Sequence, residues 1–457
     1  MSLPCFTAAR VRAQEKQAPP PEPAGGNAAG PAERPSKTDE KRDVPDYDGR
    51  EEPTTAGDVL IWVPRVLFAP PYLVSEYLLR RPLGFVIAGA ERAGIPVMVY
   101  DFFVFGPDHK AGIFPTVFVS FGFRPSVGLY AFWNDAFFPK HELRLRASYG
   151  GKDWLAGSFG ERFRFGDDPM NVFAVEGAAV HRPDYTFYGL GPDAVDENEV
   201  RYGKDTLEAR VRIDKGLWRQ SAFRAEIGLR DVDFFRGGFR DERVLDEAIA
   251  EGSLPSPAGY ERGYTITRTA VIAQLDDRLE RPAPGSGFRV RGGAAHSTNV
   301  REPGSFVTYG GSVTGFWDLN DLQRVVSLTA MTRMIDPLTD AEVPFTELVT
   351  LGGSEPMRGF FPGRLTGRSA AVAELSYHWP IWIWLDGAMH FEVGNVFGEH
   401  LAGYAFDKLR WSGAIGIESA GVVDNPLQIM LGLGSETFES GGKIDSFRFV
   451  LGTTNGF

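Results

Sequence analysis

From about residue 112 onward the chain alternates apolar and polar residues with a period of two. In 141–149, Leu143, Leu145, Ala147 and Tyr149 make one face, and Glu142, Arg144, Arg146 and Ser148 the other. Residues 207–214 repeat the pattern, with Leu207, Ala209, Val211 and Ile213 against Glu208, Arg210, Arg212 and Asp214. So do residues 223–230, with Phe223, Ala225, Ile227 and Leu229 against Arg224, Glu226, Gly228 and Arg230. A soluble sandwich also alternates, but it rarely puts both arginine and glutamate on the polar face of many long strands. A transmembrane barrel does, with lipid outside and a wet, charged lumen inside.

Sixteen such stretches start near Pro115, Ser126, His141, Trp154, Asn171, Leu207, Phe223, Tyr264, Phe288, Phe306, Arg324, Ala371, Leu385, Leu409, Leu427 and Phe447. Their spacing of about 22 residues fits a membrane strand plus a connection. The count is even, as in single-chain bacterial barrels. The predicted fold class is all-β, a 16-stranded transmembrane antiparallel β-barrel over 112–457. If the first strand runs outward, the inner turns are short, near 136–140, 164–170, 215–220, 320–323 and 422–426. The long connections at about 183–206, 235–263 and 335–368 then all fall outside, the pattern of outer-membrane barrels.

The chain before the barrel reads differently. Residues 1–57 read as the tail of an export signal followed by a disordered linker rich in Pro, Gly, Ala, Glu and Lys. Residues 58–111 are apolar but broken by Pro64, Pro70, Pro71 and Pro82. They predict short amphipathic helices at the periplasmic side, or ordinary packing helices.

Composition narrows the function. No stretch of eighteen or more apolar residues marks a transmembrane helix. A net charge of −12 argues against a nucleic-acid partner. The single Cys5 gives no disulfide framework and no cysteine metal site, and the seven histidines show no metal-binding spacing. No cofactor, metal or catalytic arrangement is expected. Asp276 and Asp277 form a paired carboxylate at a turn beside Arg278 and read as solvated; His378 and His390 read as hydrogen-bonded wall residues.

The chemistry gathers in 351–395. Leu351-Gly352-Gly353 and Met357-Arg358-Gly359-Phe360 lie in a glycine-rich loop, while Glu374 and Glu392 each sit on an alternating stretch. A guanidinium folded into the lumen needs a carboxylate partner, so Arg358 is expected to meet Glu374 and Glu392 on the wall. Arg144, Arg146, Arg210, Arg212, Arg289 and Arg291 are expected to face the lumen. The chain ends in a further alternating stretch with Phe449 and a terminal Phe457, the kind of C-terminal strand shown to barrel-assembly machinery.

These motifs resemble the bacterial surface-antigen superfamily, the barrels of the BamA/TamA assembly factors and two-partner secretion transporters. The resemblance covers roughly 112–457 and is strongest over 344–457. The family's [V/I]-R-G-[F/Y] motif in the sixth outer loop is matched by Met357-Arg358-Gly359-Phe360, and its strand-twelve glutamate by Glu374. Its F-x-D-x-G on strand thirteen appears as His390-Phe391-Glu392-Val393-Gly394, with glutamate for aspartate. The turn at 275–278 and Phe187-Tyr188-Gly189-Leu190-Gly191 are similar to other family turns. Residues 15–111 offer neither the strands nor the room for the POTRA domains that precede the barrel in assembly factors.

The resemblance implies the bacterial outer membrane, contact with its lipids, and a role in protein insertion or translocation. The client or periplasmic partner is left open. The mechanism would use the seam between first and last strands, where Gly452 and Gly456 weaken pairing. The alternatives are a gated or passive solute pore tuned by the lumen arginines, and a structural anchor in the outer membrane.

Overall fold

The computed structural model describes residues 101–453, apart from 107, 280–284, 320–322, 355, 383–384 and 420–426, together with Tyr77, Gly89, Arg92, Ala93 and Met98. The export-signal and linker readings and Phe457 lie outside these residues, as does most of the helical reading over 58–111.

Sixteen strands form one antiparallel sheet that closes on itself. They are β1 (Ala111–Ser120), β2 (Ser126–Asn134), β3 (His141–Tyr149), β4 (Leu155–Arg164), β5 (Val172–Phe187), β6 (Val200–Gly216), β7 (Ala222–Phe235) and β8 (Tyr264–Asp276). Then follow β9 (Gly287–Asn299), β10 (Gly304–Asp318), β11 (Val325–Pro337), β12 (Ser369–Trp382), β13 (Leu385–Phe397), β14 (Arg410–Ser419), β15 (Leu427–Ser435) and β16 (Ile444–Thr453). Each pairs with its sequence neighbour, and β16 returns to β1. A further two-residue strand, Val104–Phe105, pairs with the start of β1, within a region expected to be helical.

Alternation sorts the side chains. Leu207, Ile227, Val313 and Leu328 all turn outward and stay exposed, although they are large and apolar. A belt of this kind, continuous around the barrel, is stable only against lipid. The turns at 135–140, 165–171 and 217–221 carry exposed Phe137, Phe138, Phe165 and Trp218, an aromatic girdle at the inner interface. The longer connections all leave from the other end. Two of them, 236–263 with its helix α1 (Leu245–Ala250) and 338–368, fold over that mouth.

That mouth holds the apolar core. Phe345 lies 5.3 Å from each of Phe187, Tyr202 and Phe234, and 6.3 Å from Tyr260. Leu245, Val349, Leu351, Met357, Phe360 and Leu365 are buried around it. Ordering such a long loop costs roughly 1–2 kcal/mol per residue, so it persists only because this core and polar anchors offset that entropy.

Candidate functional site

The two glutamates face each other directly across neighbouring strands, Glu374 on β12 opposite Glu392 on β13. Like charges in that position repel unless a cation lies between them. Arg358, at the tip of the loop 338–368, supplies it. Its Nη1 donates to Glu374 Oε1 at 2.9 Å and also to Glu392 Oε1. The backbone N–H of Arg358 donates to Glu392 Oε2 at 2.6 Å, so one carboxylate takes both ends of the residue. The Ser412 hydroxyl donates to the same Oε2 at 2.9 Å. Glu374 is further held by the Ser376 hydroxyl at 2.7 Å, with His390 Nδ1 3.0 Å away. Glu392 is completely buried.

The loop reaches this depth by unusual backbone. Met357, immediately before Arg358, has φ +71°, in the left-handed region, and is fully buried. Such strain persists when the surroundings over-determine it. Gly359 lies flat on the wall: a Cβ there would come 1.9 Å from the Leu433 carbonyl oxygen. Gly432 and Gly434 of β15 make the matching bed, since a Cβ on Gly432 would meet Gly359 and one on Gly434 would meet the Phe360 ring. The Gly359 N–H donates to Ser412 Oγ at 2.8 Å, and its carbonyl accepts from Ser446 Oγ at 2.9 Å. Arg448 of β16 donates to the carbonyls of Gly353 at 2.6 Å and Arg358 at 3.1 Å. Gly394 lies two residues beyond Glu392 on the same face, and a Cβ there would come 2.5 Å from the Ala371 carbonyl oxygen.

The bed of Ser412, Gly432, Gly434, Ser446 and Arg448 is absent from the sequence reading. The alternate small residues of β15, Gly432 and Gly434, are its one visible signal, because such a stripe on a wall invites close backbone approach.

A second anchor holds the loop higher up. Glu347 accepts from Arg230 Nη1 at 3.0 Å and from the Tyr264 hydroxyl at 2.8 Å. Burial alone would raise its carboxyl, but Arg230 and Tyr264 hold it below the ordinary range. Arg364, also buried, donates to the Ala194 carbonyl at 2.8 Å and lies over the Tyr188 ring at 4.7 Å.

The lumen arginines are engaged with the wall. Arg144 is 3.2 Å from Glu142 and Arg146 lies over Tyr130 at 5.3 Å. Arg210 and Arg212 share Glu176 at 2.6 and 3.1 Å. Arg289 lies over Phe316 at 5.3 Å, and Arg291 stands in register with Ser312 and Gln274. Asp276 departs from its expected solvated state: it is 1% exposed and takes both Nε and Nη2 of Arg278, at 2.8 and 2.6 Å. Arg278 is buried with it, so its charge is matched locally. Phe449 is on β16, its ring 4.8 Å from Phe121 and its carbonyl accepting from the Phe121 N–H at 3.0 Å.

That contact belongs to the seam. β16 and β1 pair only through Val450↔Ser120, Leu451↔Val119 and Gly452↔Phe118 among the described residues. By contrast β6 and β7 pair without a break from Gly203↔Phe235 to Gly216↔Ala222.

The fold is shared with a solved structure of BamA. BamA from Haemophilus ducreyi, in a crystal structure lacking POTRA domains 1-3, is 14% identical, with a TM-score of 0.51 over 75% of this chain and 70% of that one. CdiB from Acinetobacter baumannii is also 14% identical, with a TM-score of 0.46 over 75% of this chain and 60% of that one. No curated protein sequence is a match. The family model for the Omp85 superfamily domain matches residues 141–455. The chain therefore belongs to the Omp85 superfamily and is a β-barrel of the bacterial outer membrane.

Proposed function

We propose that this barrel inserts or translocates polypeptide at the outer membrane, working through the β1–β16 seam rather than as an open pore or an enzyme. The observation that carries this reading is the contrast in one sheet between a seam paired at three positions among the described residues and the unbroken β6–β7 ladder. An incompletely paired edge offers backbone N–H and C=O groups to another strand, and strand addition is a general mode of polypeptide recognition. The covered mouth supports the same reading. A passive pore needs an open path, whereas here loops 236–263 and 338–368 pack an apolar core across the outer end.

A reversible seam lock tests it. Ser120 and Val450 are opposite one another, so Ser120→Cys with Val450→Cys, in a Cys5→Ser background, joins the two strands on oxidation. The readout is the folding rate of an unfolded small β-barrel added to liposomes carrying the protein. Acceleration by the reduced form, lost on oxidation and restored by reductant, is expected. Equal acceleration by the oxidised and reduced forms removes the seam from the mechanism.

A further inference from the structure

The chain ahead of β1 does something barrel closure does not require. After a helical turn at 101–103, Val104–Phe105 runs antiparallel to the lower end of β1, with Val104 opposite Gly112 and Phe105 opposite Ala111. On their other edge Gly112 and Ala111 meet Phe132 and Trp133 of β2. Val104–Phe105 therefore stands on the seam edge, the one β16 uses higher up at Phe118–Ser120. Between the two, residues 113–117 have no strand partner on that edge among the described residues.

Hydrogen-bond parity says what this stretch offers. The Phe121 N–H donates to the Phe449 carbonyl at 3.0 Å, and the Asn134 N–H of β2 donates to the Lys110 carbonyl at 2.7 Å. Odd residues of β1 thus turn their backbone groups to the seam, and even ones to β2. In 113–117 the odd residues are Ile113, Pro115 and Val117. Pro115 has no N–H, so the middle donor of the edge is missing. Proline on an edge is one way a sheet resists a further strand.

The short strand is anchored as well as paired. Val104 is 3% exposed. The Phe103 ring lies 5.5 Å from Phe114, which stacks 6.1 Å from Phe132. Gly112 makes room for it, since a Cβ there would come 2.9 Å from the Phe103 carbonyl oxygen. The turn is built around Gly106 at φ +86° and closed by the His109 N–H donating to the Gly106 carbonyl at 3.2 Å. Lys110 Nζ ties its far side to Asp135 at 3.2 Å.

We propose that residues 101–106, with Val104–Phe105 on the β1 edge, are a clip acting in cis on the seam. The clip occupies the lower end of the β1 edge, so an extended polypeptide adding to β1 must displace Val104–Phe105 to pair along the whole strand. The proposal rests on the seam reading above and adds a threshold to it.

The test uses the full chain in lipid nanodiscs. The probe is a synthetic peptide with the sequence of residues 444–453 and a photo-crosslinker in place of Phe447. Capture on β1 is compared for wild type, Phe105→Pro, which removes the N–H that faces Ala111 and so prevents pairing, and Phe103→Ala, which lies outside the sheet and only loosens the anchor. Hydrogen exchange at the Ala111 amide is read in parallel. Expected are a protected Ala111 amide in wild type, protection lost in Phe105→Pro, and capture about tenfold higher in that variant, with a smaller rise in Phe103→Ala. Equal capture by all three proteins overturns the clip and leaves the seam reading standing. An unprotected Ala111 amide in wild type also overturns the clip alone. No capture by any of them, with the Ala111 amide freed in Phe105→Pro, overturns the seam reading and the clip with it.

Discussion

The β6–β7 ladder and the β16–β1 seam are built from the same backbone chemistry, yet one is zipped along its length and the other, among the described residues, is paired at three positions. The difference lies in what the side chains add. Across β6 and β7, Arg230 meets Glu208 at 2.9 Å and Arg224 meets Asp214, while Leu207, Ile227 and Leu229 cover the outer face. Each such cross-strand pair contributes about 0.2–1 kcal/mol. Among the described residues the seam has the Phe121–Phe449 ring contact, with Gly452 at φ +146° beside it and Pro115 lower on the β1 edge. Closure alone does not make a barrel uniform; it concentrates weakness where cross-strand chemistry is thinnest.

The firm side can be broken in graded steps. Arg358→Ala has the largest expected effect, because it leaves Glu374 and Glu392 facing each other without a cation. Removing one partner of such a buried pair costs about 3–5 kcal/mol, read from urea unfolding in lipid vesicles. The same variant should turn a closed wild type into a conducting channel in a planar bilayer, and a wide wild-type channel unchanged by the mutation would contradict a loop held across the lumen by Arg358. Phe345→Ala comes next, at about 3 kcal/mol, since it empties the centre of the aromatic box. Its sharper readout is proteolysis of loop 338–368, which should become fast while the barrel stays intact.

Ser412→Ala should cost about 1–2 kcal/mol, because the Gly359 N–H loses its acceptor and Glu392 one donor. Gly452→Ala, on the seam, is expected to change global unfolding by less than about 1 kcal/mol, although its Cβ would come 2.6 Å from the Val117 carbonyl oxygen. In that background, oxidative cross-linking of the strands through Ser120→Cys and Val450→Cys should slow. If Gly452→Ala unfolded the barrel as readily as Arg358→Ala, the contrast between the two regions would be lost.

The strands are legible because lipid forces strict alternation: Leu207, Ala209, Val211 and Ile213 cannot be read otherwise. Where lipid no longer faces the strand the signal fades. β6 begins at Val200, not Leu207, because Arg201, Lys204 and Asp205 stand beyond the apolar belt and their pairing leaves no period-two hydrophobic mark. The partners of Arg358 are legible because a buried guanidinium favours a countercharge, and Glu374 and Glu392 are the carboxylates on the two alternating stretches that follow it. The bed beneath it is not, because Ser412, Ser446 and the glycines of β15 matter through backbone approach, which depends on where a loop lands. Asp276 escapes for a related reason: proximity to a turn says little about exposure when the side chain is enclosed beside Arg278.

Residue-resolved amide hydrogen exchange of the barrel in nanodiscs separates a weak seam from a closed one. The seam amides of Val119, Phe121 and Leu451 should exchange at least about a hundredfold faster than the amides of Arg210 and Val211 in β6. Equal protection at the two places would contradict a weak seam, because the seam would then be as firmly closed as any other pair of strands.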